Sequence, residues 1–193
     1  MSDFILIILS AALINNIVVE RVIGADPALA FTRKMDVTQG LCLTMMVLLP
    51  AVTVCAWLLD KWLITPLQLE YLRLLVFVAA ILVICLLLQL YMHRIHKKLA
   101  ARVTVFLPFA GINTTVLGAM LLTGETSHTL FQSLAFGLGS ALGFALVLIL
   151  LTAATERLET ADVPAPFRGL PIQLLTLALF SMAFMGFNGL IRI

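Results

Sequence analysis

Six runs of about twenty apolar residues, separated by short connectors that carry nearly all the charges, constrain this chain more than any other feature. They cover approximately 4–24, 37–59, 71–92, 103–123, 130–153 and 170–191. A helix of that length crosses a hydrocarbon core of about 30 Å. Inside lipid no water can satisfy backbone N–H and C=O groups, so only helices or a closed barrel can span it. Barrel strands alternate polar and apolar residues over about ten positions, and these runs do not alternate. The expected fold is an all-α membrane protein with six transmembrane helices. Composition agrees, because only 11% of the 193 residues are charged, where a soluble domain carries about 25%. The mean hydropathy of +1.14 points the same way.

The net charge of +2 is spread over short loops, with no basic arm or stripe of the kind that binds nucleic acid. Met1-Ser2-Asp3-Phe4 lacks a positive leader region and reads as the start of a helix, not as a secretory signal. No connector is long enough for a separate soluble domain, so residues 1–193 are expected to form one integral membrane domain.

Lys and Arg set the orientation. The first, third and fifth connectors with their flanks hold Arg21, Arg33, Lys34, Arg94, Lys97, Lys98, Arg102, Arg157 and Arg168. The other side holds Lys61, Arg73 and Arg192. The odd connectors are therefore expected on the cytoplasmic side of a bacterial inner membrane, with both termini periplasmic.

Two spans carry polar interruptions. The first contains Leu13-Ile14-Asn15-Asn16-Ile17-Val18, and the fourth contains Gly111-Ile112-Asn113-Thr114-Thr115-Val116-Leu117-Gly118. Asn15 and Asn113 lie about half a chain apart, and each opens a group of three spans. Three spans per half bring the second half in from the opposite side. The expected architecture is two inverted repeats, approximately 1–95 and 96–193, with broken first and fourth helices. Paired interruptions of this kind point to a midplane site. The same asparagines serve equally as hydrogen-bonding glue between helices, and the residues alone leave both roles open. Thr114 and Thr115 suit bonds to carbonyls one turn back.

The remaining polar residues have plainer readings. Cys42, Cys55 and Cys85 sit inside apolar runs with no CxxC spacing, as buried thiols do. His93 and His96 belong to a basic loop with Arg94, Lys97 and Lys98, and His128 stands alone. Glu20 near the end of the first span is the one candidate for an ion relay. Gly139 and Gly143 form a GxxxG pattern that lets helix backbones approach closely. Asp26-Pro27 after Gly24 reads as a helix stop and turn. Pro164 and Pro166 stiffen the loop 161–169 and hold Arg168 at the cytoplasmic interface, which suits partner docking.

Ala161–Gly169, reading ADVPAPFRG, resembles the signature loop of RnfA/RsxA-type subunits of Rnf electron-transport complexes. Ala183-Phe184-Met185-Gly186-Phe187 resembles the last helix of that family. Asn15-Asn16, Cys55-Ala56-Trp57, Tyr71-Leu72-Arg73 and Phe106-Leu107-Pro108 fit in order and spacing. The resemblance covers essentially the whole chain, and the related NqrE subunits match less well. It implies six helices in two inverted halves. It also implies pairing with a paralogous RnfE-like partner and assembly with RnfB, RnfC, RnfD and RnfG. The implied activity is electron transfer between ferredoxin and NAD coupled to ion movement. The implied cofactor is a 2Fe–2S cluster shared with the RnfE-like partner, each of the two chains supplying two cysteines.

At the positions of those ligands this chain has Asp26 and Thr114, although Gly24, Pro27, Asn113 and Gly118 still align. Iron–sulfur clusters take thiolate ligands, so the expectation is a retained scaffold without the standard cluster, with Asp26 as the one residue able to ligate iron. The chain has no catalytic apparatus of its own. Any translocase activity belongs to the assembly. The alternatives are a stand-alone small transporter or channel, and a non-redox scaffold subunit.

Overall fold

A computed structural model describes residues 2–21, 35–95, 97–126 and 129–187, and every described element is helical. The helices are α1 (Ser2–Leu9), α2 (Ile17–Arg21), α3 (Met35–Leu59), α4 (Arg73–Ile95), α5 (Lys97–Ile112), α6 (Thr114–Thr126), α7 (Leu130–Glu159) and α8 (Leu170–Met185). Four stretches are long and apolar enough to cross a bilayer: Phe4–Arg21, Met35–Ile64, Glu70–Met92 and Leu130–Glu159. A fifth forms when Val103–Ile112 and Thr114–Gly124, bent by 63° at Asn113, are counted as one span. These five match the expected runs closely. The last run differs. Its described helix, α8, has 16 residues, about 24 Å at 1.5 Å per residue, which is shorter than the hydrocarbon core. Arg33, Lys34, His96, His128 and Arg192 lie outside the described residues.

The core is the packed pair α3 and α7. Leu41, Met45, Leu48, Leu49, Val52 and Ala56 recur every three or four positions along α3 and are buried against Ala141, Phe144, Leu148 and Leu151 of α7. In lipid this contact is held by close packing and interhelical hydrogen bonds, because tails and side chains are equally apolar. The Thr38 and Thr152 hydroxyls bond each other at 2.8 Å. That bond brings the start of α3 to the end of α7, so the two helices run antiparallel. α4, α5 and α6 pack on the α3 side, whereas α1 and α2 pack on α7. Most of α4 faces outward, with Leu75, Leu82, Val83, Leu86 and Leu87 exposed, as a helix turned toward lipid should be.

At one end of the bundle, α3 runs on through a π-helical turn, Asp60–Ile64. Arg73 at the start of α4 clasps the Asp60 carboxylate with Nε and Nη2, at 2.9–3.1 Å. Gly124 near the end of α6 lies directly against the Asp60 carboxylate and 3.2 Å from Arg73 Nη2, distances taken from the point a Cβ would occupy. The connectors after the second and fourth spans therefore share one end of the bundle. Trp62 and Tyr71 are exposed there, and Lys61 lies 4.7 Å from the Trp57 ring. Aromatic residues and lysine at this level fit a membrane–water boundary.

Gly139 and Gly143 determine how closely the first span approaches α7. A Cβ at Gly139 would come 2.7 Å from the Ile8 carbonyl oxygen and 2.8 Å from the Ala11 Cβ. At Gly143 it would come 2.7 Å from Asn16 Nδ2 and 2.9 Å from the Ala12 carbonyl oxygen. Most of those atoms are backbone and cannot swing aside. Gly139→Val and Gly143→Val should each destabilise the chain by about 1–3 kcal/mol through overpacking, read as a lower melting temperature in detergent. Leu142→Val, at a lipid-exposed position between them, should leave the melting temperature nearly unchanged.

Candidate functional site

The chemistry of the two interrupted spans begins with what a break exposes. A helix that stops and restarts leaves up to four N–H groups without intrahelical partners at the new start. In the first span a π-helical turn, Ser10–Ile14, precedes the break, and Asn15 N–H bonds the Ser10 carbonyl at 2.7 Å. Asn16 then caps α2. Its Oδ1 accepts from Val18 N–H at 3.0 Å, while its Nδ2 donates to the Ala12 carbonyl at 2.9 Å. One side chain thus ties the two half-helices together and is 1% exposed.

The fourth span repeats this at Asn113. Its Oδ1 accepts from Thr115 N–H at 2.9 Å, capping α6 from the same position, two residues before the donor. Its backbone carbonyl accepts from Val116 N–H at 3.0 Å. The bend is sharp, and here the amide does not reach back. Asn113 Nδ2 is buried without a hydrogen-bond partner among the described residues. The second half-helices, α2 and α6, pack against each other.

The structural counterpart of Asn113 is thus Asn16, one residue later than the Asn15 pairing read from the sequence. Asn15 is exposed, and its Nδ2 donates to Ser10 Oγ at 3.1 Å. The cap position carried the signal. Asn16 and Asn113 are each the last residue before a resumed helix, and an asparagine there satisfies an orphan N–H.

Thr114 is the first residue of α6 and is exposed beside Ile112, which is 83% exposed. Asp26 lies outside the described residues. The cysteines occupy other places. Cys42 Sγ faces the Ala145 carbonyl at 3.9 Å between α3 and α7, and Cys55 is half-buried further along α3. Cys85 of α4 packs beside Gly111, with Sγ 2.7 Å from where a Cβ would stand. Among the described residues no three His, Cys, Asp or Glu side chains cluster to hold a metal. The donor that the chain places at the fourth-span break is a neutral hydroxyl, which does not fit an iron–sulfur cluster.

Glu20, at the end of α2, is exposed and lines a small cleft with Asn16, Ser181 and Phe184. Ser181 Oγ donates to the Val19 carbonyl at 2.9 Å, joining α8 to α2. In the loop after α7, Pro164 and Pro166 are exposed around a short 3₁₀ turn, Ala165–Phe167. Arg168 Nε folds back to the Val163 carbonyl at 2.8 Å. Gly169 follows with φ +84°, a conformation that disfavours other residues.

Discontinuous apolar helices with asparagine caps, packed through small residues, define a polytopic helical membrane protein built around interrupted spans. The family model described as "Rnf-Nqr subunit, membrane protein" matches residues 4–191. RnfA of the ion-translocating oxidoreductase complex of Histophilus somni (strain 2336) is 41% identical over 193 residues, all of both chains. The proteins of the same name from Shigella sonnei (strain Ss046) and Escherichia coli O9:H4 (strain HS) are each 38% identical over the same full length. The chain belongs to the Rnf-Nqr family of membrane subunits.

The two caps differ in what they hold. Replacing either asparagine by alanine removes a cap worth roughly 0.5–2 kcal/mol. Asn16→Ala also breaks the bond to Ala12, whereas Asn113→Ala deletes an amide nitrogen without a partner. Asn16→Ala should therefore be the more destabilising by about one hydrogen bond, roughly 1 kcal/mol, when both are compared by thermal denaturation in detergent.

Proposed function

We propose that this chain is the RnfA component of an Rnf-type ion-translocating oxidoreductase complex in a bacterial inner membrane. The observation that carries this reading is full-length similarity to proteins of that name, without gaps in coverage, joined to interrupted spans that keep their asparagine caps. The complex would transfer electrons between ferredoxin and NAD and couple them to ion movement. In it the chain sits beside an RnfE-like paralog and RnfB, RnfC, RnfD and RnfG. The chain has six spans in two inverted halves, with α8 completing the last. The matching caps at Asn16 and Asn113 support that arrangement. The exposed loop edge formed by Pro164 and Pro166, braced by Arg168, serves as a docking edge for a neighbouring protein of the complex.

Within that complex this chain keeps the scaffold and does not hold the shared 2Fe–2S cluster. Thr114 at the fourth-span break supports this, as does the Asp26 substitution in the sequence. Electrons then pass through other carriers, and this chain contributes the frame around the two breaks. Iron and labile-sulfide assay of the purified complex, with EPR, should find no membrane 2Fe–2S signal attributable to this chain. A stoichiometric signal that disappears in Asp26→Ala would overturn the cluster-free reading without touching the family assignment.

The Lys and Arg distribution supports periplasmic termini. A reporter fused after Ile193 should be active only when exported. Activity restricted to the cytoplasm would reverse the orientation.

A further inference from the structure

Behind the proline-rich loop, the end of α7 and the start of α8 enclose a cavity of about 360 Å³. That volume is within the range of small-ligand sites, about 300–1,000 Å³. Its walls combine Leu158, Val163 and Ile172 with Glu159, Arg168 and Gln173. Gln173 is 7% exposed, and its carboxamide has no hydrogen-bond partner among the described residues. A buried amide in that state carries a desolvation cost that a bound ligand would relieve.

The two charges on the cavity are the second observation. Glu159 and Arg168 line the same space and form no ion pair with each other. The ion pair found among the described residues is Asp60–Arg73, at the other end of the bundle. Arg168 is already oriented by its Nε bond to Val163, which leaves its terminal nitrogens available. A ligand with one charge would satisfy one of these groups and be repelled by the other. A ligand carrying an anion and a cation a few bonds apart satisfies both. The cavity also lies where the apolar part of α7 gives way to Glu156, Arg157 and Glu159, the level of lipid headgroups.

We propose that this cavity binds the headgroup of an aminophospholipid. Its phosphate lies on Arg168, its primary ammonium lies on Glu159, and an ester group meets the Gln173 amide. The site goes beyond the role in the redox complex and does not depend on it.

The test uses the full-length chain in nanodiscs containing equal amounts of phosphatidylethanolamine, phosphatidylcholine and phosphatidylglycerol, with retained lipid read by native mass spectrometry. Phosphatidylethanolamine should be retained about tenfold over the other two, because only its ammonium donates hydrogen bonds to a carboxylate. Glu159→Gln should erase the preference over phosphatidylglycerol. Arg168→Gln should lower retention of both lipids about tenfold. Equal retention of the three lipids by the unaltered chain, or a preference unchanged in Glu159→Gln, would overturn the proposal. In the assembled complex, a photoactivatable phosphatidylethanolamine should label residues 155–173. Cross-linking of a different protein of the complex at that segment in its place would assign the cavity to a protein partner and likewise overturn it.

Discussion

A helix that stops inside lipid strands backbone amides where no water can reach them, and two spans of this chain do so. Each stranded group costs several kcal/mol in hydrocarbon, so neither break could persist without a built-in acceptor. Asn16 and Asn113 supply one from the same cap position. The rest of the bundle is arranged around those caps. α7 gives up side chains at Gly139 and Gly143 so that the first span can lie against it. α8 reaches across to the Val19 carbonyl and braces the short α2.

The two breaks are alike in their capping bond and unlike in everything else. Asn16 is fully satisfied and pinned by Gly143. Asn113 keeps an unpaired amide nitrogen at a 63° bend beside an exposed Thr114 and Ile112. The first break is closed by this chain alone, and the second presents its unfinished surface outward. A protein that acts only within an assembly has reason to be built this way. The exchange of a thiolate for a hydroxyl at Thr114 changes what that surface can bind and leaves the cap beneath it intact.

Most of the architecture was legible because a bilayer imposes length and polarity on every span. Apolar helical stretches begin at Phe4, Val103, Leu130 and Leu170, where the runs predicted them. The interruptions were legible too, since asparagine inside an apolar run has few uses. What could not be read was any relation between distant residues. The GxxxG pattern announced a close helix contact but not that its partner was Ile8 to Asn16. Asp60 and Arg73 belonged to one connector as charges, with nothing to show that they would clasp. Choosing between Asn15 and Asn16 required knowing where the helix resumes, which depends on the π-helical turn at Ser10–Ile14. The short α8 was hidden because apolar composition continues after the described helix has ended.

The Asp60–Arg73 clasp has an electrical consequence. A lone charge near the edge of an energised membrane is pulled by the voltage, with about 2.3 kcal/mol for each charge carried across 100 mV. The carboxylate and guanidinium sit 2.9 Å apart, so the field exerts opposing forces that nearly cancel. The hairpin between α3 and α4 is therefore a dipole and not a sensor, and it should hold its position whether the membrane is polarised or at rest.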